Sequence, residues 1–190
     1  MILPIYAYGD PILRKETIEI DKNYPDLPQL IKNMFETMHS ANGVGLAAPQ
    51  IGLNIRLFII DATPFSEYEE YEAIKDRFVN FRRVFINAKI LKREGELMKF
   101  NEGCLSIPEI HEDVKRPESI TIEYYDENWN KCTETYDDVR ARVIQHEYDH
   151  IEGILFTDLL SPLKKKLINR RLTDITKGNI KVGYKMKFPK

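Results

Sequence analysis

"DDVRARVIQHEYDHIEG", Asp137 to Gly153, holds the pattern from which the rest of the chain can be read. Asp137 or Asp138 suits the N-cap of a helix running to about Glu152, and Gly153 stands just past its end. On that helix Val139, Val143, His146 and His150 form one stripe. The valines would bury the face that carries the histidines. Glu147 follows His146 directly, and its side chain leaves the axis ~100° away. Two imidazoles one turn apart, with a carboxylate beside them, can hold a metal ion and move a proton. The plainer reading is a helix with two partly buried histidines and a surface glutamate. The valine stripe favours the metal.

A catalytic site of this kind takes three protein ligands and leaves a position open. No histidine follows His150, and Glu152 points to a different face of the helix. Asp158 and Asp174 have no evident reason to approach. Upstream candidates are Cys104, Cys132, His39 and His111. Cys104 lies in "NEGCLSIPE", with a glycine before it and a proline four residues on, and reads as irregular backbone from which a thiolate can be aimed. Cys132 sits in an alternating strand, where a small apolar role is the default. His39 at a helix end and His111 after a proline-containing turn read as surface residues. Chemistry favours Cys104 without eliminating the others.

The whole chain fits this picture. At 190 residues, 43% apolar and 31% charged, it reads as one soluble domain with a sizeable core. A net charge of −2 argues against DNA or bulk nucleic-acid binding. No stretch approaches the ~20 apolar residues of a membrane span. The start "MILPIYAYGDPILRKE" lacks a secretory pattern, and two cysteines are too few for a disulfide scaffold, so a reducing cytoplasm is the expected setting.

Outward from the histidine helix the elements are mixed. Leu27, Leu30, Ile31, Met34, Phe35 and Met38 recur at helical spacing, with Asp26 as cap and Asn42-Gly43 as stop. "GVGLAAPQIG" reads as a tight loop. Ile55–Asp61 and Arg83–Leu91 read as buried strands, and 64–82 as a charged, partly helical excursion. Ser119–Asp126 and Lys131–Asp137 flank a polar turn as a hairpin. A last helix is predicted from Ser161-Pro162 to about Thr176, followed by an extended tail. The expected fold is α+β: one domain over 1–190, with mostly antiparallel strands around a central metal-binding helix, an N-terminal helix, and a C-terminal helix plus tail over 161–190.

Three segments, "GVGLAAPQ" (Gly43 to Gln50), "EGCLS" (Glu102 to Ser106) and "QHEYDH" (Gln145 to His150), resemble in order the signature motifs of peptide deformylase. The resemblance spans roughly Pro4 to Leu160. It implies a hydrolase that removes the formyl group from the N-terminal formyl-methionine of nascent proteins in the bacterial cytoplasm. It implies one divalent metal held by Cys104, His146 and His150: Fe2+ in the cell, with Zn2+, Ni2+ or Co2+ able to take the site in a purified sample. It implies Glu147 as general acid and base, with the Leu105 N–H and the Gln50 amide as donors to the reacting oxygen. Gly45 would contact substrate, and Val44, Val139 and Val143 are candidate walls for the methionine side chain. Glu102 and Gln145 precede ligands and could support them, although an ion pair of Glu102 with Arg116 is an equal alternative.

This chain departs modestly from the family. Ile151 follows the third motif where leucine is usual, and the 64–82 excursion is long. The last helix carries Lys164, Lys165, Lys166, Arg170 and Arg171, which suit either ribosome contact or a solvated face. Two other functions compete: a zinc-type metallopeptidase, which would need a further ligand downstream, and a non-enzymatic protein stapled by a structural metal, which would need a fourth ligand.

Overall fold

The run Leu57-Phe58-Ile59-Ile60 is buried on both sides of its strand, and the architecture follows from that. In this computed structural model, which describes residues 1–189, the strand sits inside a five-stranded antiparallel sheet. Its order is β2 (Gly45–Ala47), β3 (Leu57–Asp61), β4 (Arg82–Cys104), β5 (Ile107–Tyr125) and β6 (Lys131–Tyr136). Side chains alternate across a strand, so Leu57 and Ile59 face one way and Phe58 and Ile60 the other. Leu57 and Ile59 join Val84 and Ile86 in a cluster with Met34, Phe35 and Met38 of α1 (Leu27–Ser40). Phe58 and Ile60 join Phe85, Ile122 and Tyr124 in a cluster with Val139, Val143 and Ile144 of α2 (Val139–Ile151). A helix therefore covers each face of the sheet. β1 (Ile5–Tyr6) lies outside the sheet and pairs in parallel with β7 (Met186–Lys187) from the tail. The α+β class with mostly antiparallel strands is observed.

The histidine helix is central. Of its thirteen residues only Arg140 and Tyr148 are not buried. Asp138 is its N-cap: the carboxylate accepts from the Arg140 N–H at 2.9 Å. Gly153 follows its end at φ 71°. The third helix, α3 (Pro162–Thr176), presses Ile168, Leu172 and Ile175 against Ile110, Val114 and Phe156.

Three details differ from the sequence reading. Asp26 precedes α1 but accepts no capping bond, because its backbone is left-handed at φ 51°. The loop expected at "GVGLAAPQIG" is a short strand, β2, and a 3₁₀ turn over Ala48–Ile51. β4 runs far beyond Leu91, to Cys104, because β5 pairs with it along most of that length. Cys104 is thus the last residue of a strand and pairs with Ile107 across the two-residue turn Leu105-Ser106, rather than sitting in irregular backbone. The 64–82 segment forms 3₁₀ turns (Thr63–Glu67 and Glu69–Arg77) and returns to the core through Phe78 and Phe81.

Candidate metal centre and cleft

The β4–β5 hairpin carries its turn from the sheet onto the histidine face of α2. This brings the Cys104 sulfur to 3.3 Å from His150 Nε2. Ligand atoms of Cys104, His146 and His150 all lie within 4.8 Å of one another. No other histidine or cysteine joins them among the described residues. His39 is turned to Asp61 at 2.9 Å, Cys132 is on β6, and His111 stands exposed at the cavity rim. Burial and the neighbouring His146 push the His150 imidazole well below its usual range, so it is neutral with a free lone pair.

His146 is oriented from behind. Its Nδ1 lies 3.0 Å from Glu102 Oε2, which leaves Nε2 for the site. Glu102 in turn accepts from Arg116 at 2.7 and 3.0 Å and from Arg142 at 3.2 Å. Arg116 also donates to Asp149 at 2.6 Å. Burial alone would push the Glu102 carboxyl up. The bonds from His146 and Arg116 outweigh that and bring it down to about 2. Glu102 is therefore an ion-pair partner of Arg116 and also contacts His146, a candidate ligand. Gln145 does neither, since its amide donates to the Pro117 and Ala141 carbonyls. Asp149 and Arg142 were not singled out from sequence. Asp149 sits inside the third motif on a buried face, which was the available signal.

The donor set fits a soft or borderline divalent cation: one sulfur and two imidazole nitrogens, three candidate ligands with no fourth beside them among the described residues. Glu147 points at the same space without joining the ligands. It is buried, and its Oε2 has no partner among the described residues. Burial, seconded by Glu102 and Asp149, pushes its carboxyl up to about 7.

In front of these residues opens a cavity of about 660 Å³. Val44, Gly45, Gln50, Leu105 and Val143 line it, whereas Val139 does not and belongs to the core. Gly45 has a steric reason to be glycine. A methyl group there would stand 2.7 Å from Glu147 Cγ and Cδ. Gln50 is held by its oxygen, which accepts the Ala47 N–H at 2.8 Å. Its Nε2 is thereby aimed at the Cys104 sulfur, 3.5 Å away, and at Ser106 Oγ, 3.2 Å away. The glutamine is a fixed donor on the cavity wall. The tail completes the rim with Lys181–Tyr184, which sequence reasoning left unassigned.

Comparison with known proteins gives a consistent result. The family model described as polypeptide deformylase matches residues 2–166. A peptide deformylase of Christiangramia forsetii is 62% identical over 190 residues, covering 100% of this chain and 97% of its own. One from Flavobacterium johnsoniae is 57% identical, covering 99% and 96%. The crystal structure of a peptide deformylase from Legionella pneumophila superposes with a TM-score of 0.79 at 36% identity, covering 94% of this chain and 98% of that one.

Proposed function

The chain belongs to the polypeptide deformylase family, and from that premise we propose how its residues divide the work. The reaction is hydrolysis of the formyl group on the N-terminal formyl-methionine of newly made proteins, with release of formate. Cys104, His146 and His150 would hold the metal, and ferrous iron is the proposed occupant in the cell. A thiolate with two imidazoles also accepts zinc, nickel or cobalt. When bound, the cation supplies Lewis acidity to a water and to the formyl oxygen.

Glu147 takes the proton of the attacking water. Glu147 lines the cavity and keeps one carboxylate oxygen without a partner among the described residues, and that observation carries this assignment. Attack turns the formyl carbon tetrahedral and puts negative charge on its oxygen. Gln50 Nε2 and the Leu105 N–H donate to that oxygen, and neither needs to move far, since one is held by Ala47 and the other adjoins Cys104. The C–N bond then breaks, Glu147 passes its proton to the departing amine, and formate leaves. Gly45, at the cavity wall on β2, lets the substrate backbone lie close. Val44 and Val143 offer apolar surface to the methionine side chain.

The nascent-chain substrate and the bacterial relatives support a cytosolic place of work. Ribosome contact through α3 would fall to part of its basic face. Lys164 is engaged by Glu112 at 2.8 Å and Lys165 by the Asp158 carbonyl at 2.8 Å, which leaves Lys166, Arg170 and Arg171 exposed for it.

The test compares wild type with Glu147→Ala, both purified without oxygen, on a formyl-methionyl peptide. Both retain metal, and only wild type releases formate at an appreciable rate. Equal rates would remove Glu147 from the reaction.

A further inference from the structure

The turn Leu105-Ser106 is pinned from three sides, and one of the pins comes from the C-terminal tail. Ser106 Oγ accepts from Gln50, and the Ser106 carbonyl accepts the Tyr8 N–H at 2.8 Å. The third pin is the Tyr184 hydroxyl, which donates to the Leu105 carbonyl at 2.7 Å. Tyr184 belongs to the tail, beyond the stretch matched by the family model, which ends at residue 166. The tail is itself fixed, since the Ile5 N–H donates to the Lys185 carbonyl at 2.8 Å and the Ala7 N–H to the Lys187 carbonyl at 2.9 Å. The Tyr184 ring, half-buried, packs with Leu105 against the α1 side of the core.

We propose that Tyr184 is a positioning residue for deformylation: by holding the Leu105 carbonyl it fixes the direction of the Leu105 N–H toward the reacting oxygen. A residue has only two soft backbone torsions, and Leu105 is flanked by the Cys104 ligand on one side and this hydrogen bond on the other. With both peptide planes held, its N–H has one direction. Donors to a developing negative charge act through preorganisation, and a loose donor loses most of its worth. The inference rests on the reading of the Leu105 N–H as a donor to substrate.

The experiment is Tyr184→Phe, which keeps the ring in place and removes only the hydroxyl. Two quantities are read: steady-state rates on a formyl-methionyl peptide, and amide hydrogen exchange at Leu105 and Ser106. Losing one hydrogen bond of ordinary strength corresponds to roughly three- to ten-fold. The expected result is a fall in kcat of that size with KM little changed, and faster exchange confined to the turn. Unchanged exchange with unchanged kcat overturns the role of Tyr184 alone. Faster exchange with unchanged kcat overturns it through its premise, because the turn is then loosened without cost and the Leu105 N–H is not used. A rise in KM alone makes Tyr184 a cleft wall and also overturns the proposal.

Discussion

Glu102 Oε2 lies 3.0 Å from His146 Nδ1, and the same carboxylate is the counter-charge of two buried arginines, Arg116 and Arg142. One side chain therefore links the candidate metal ligand His146 to the ion pairs that hold the hairpin carrying Cys104. The two roles are separable by experiment because they respond to different measurements.

Glu102→Gln keeps the volume and loses the charge. Removing one partner of a buried ion pair costs about 3–5 kcal/mol, since the remaining charges stay buried without compensation. Losing the group that orients a ligand histidine lowers metal affinity roughly 10- to 100-fold. Denaturant unfolding of the metal-free protein reads the first effect, and competition with a chelator reads the second. If affinity is unchanged while stability falls, the contact with His146 contributes only to the ion-pair network.

Gly45→Ala tests the space in front of Glu147. The added methyl group would meet Glu147 Cγ and Cδ at 2.7 Å, so the carboxylate must shift. A misplacement of about an ångström in a catalytic group can cost on the order of 100-fold. The expectation is a loss of that order in kcat/KM, with metal content unchanged, because Glu147 is not a ligand. A variant with more than about half of the wild-type rate would show that the carboxylate need not sit where the structure has it.

Asp138 starts the histidine helix, and its charge should appear in the pH dependence of stability. Burial pushes this carboxyl up, but bonds from the Arg140 side chain and backbone and from Arg77 outweigh that and hold it below its ordinary value. A carboxylate depressed on folding adds stability above its unfolded value of ~3.9 and loses it as pH falls through the lower folded value. Asp138→Asn should flatten that part of the unfolding profile: it should be less stable than wild type at pH ~7, where the charge contributes, and the two should converge as pH falls below ~4. Asp138→Ala should cost about 1 kcal/mol at neutral pH. Urea unfolding across this range decides it, and an Asn variant that loses stability in parallel with wild type down to pH ~3 would count against the assignment.

Much of this was legible in the sequence, for identifiable reasons. The cap, the stripe and the stop of α2 are local signals, and a helix reports them within a few residues. Residue type and motif favour Cys104 without eliminating the other candidates, and its setting differs from the irregular backbone expected, since it ends a strand. The strand that delivers it continues through Lys92-Arg93-Glu94-Gly95-Glu96, a charged stretch with register irregularities that hide strand alternation. β2 was missed because its three residues make a strand only by pairing with β3. Val139 and Val143 share a helical stripe, yet only Val143 reaches the cavity, since periodicity gives a face and not a depth. Tyr184 carries no local signal at all. Its place depends on the pairing of β1 with β7, elements some 180 residues apart, at Ile5 and Met186.

Metal binding should expel protons, because a cation takes a thiolate and neutral imidazoles. Burial pushes the His146 imidazole down, but its bonds to Cys104 and Glu102 prevail and hold it well above its usual range. In the metal-free protein it therefore carries a proton that a cation must displace. Glu147, pushed up to about 7, is partly protonated near neutrality, and a nearby cation favours its charged form. Both changes run the same way: the metal-free state binds more protons, so affinity falls as pH falls. The expected slope of log affinity against pH is positive between pH ~6 and ~8. Glu147→Gln removes one of the titrating groups and should lower the slope by up to about one. Chelator competition at several pH values measures both, and a flat profile in wild type would mean that His146 already stands deprotonated before the metal arrives.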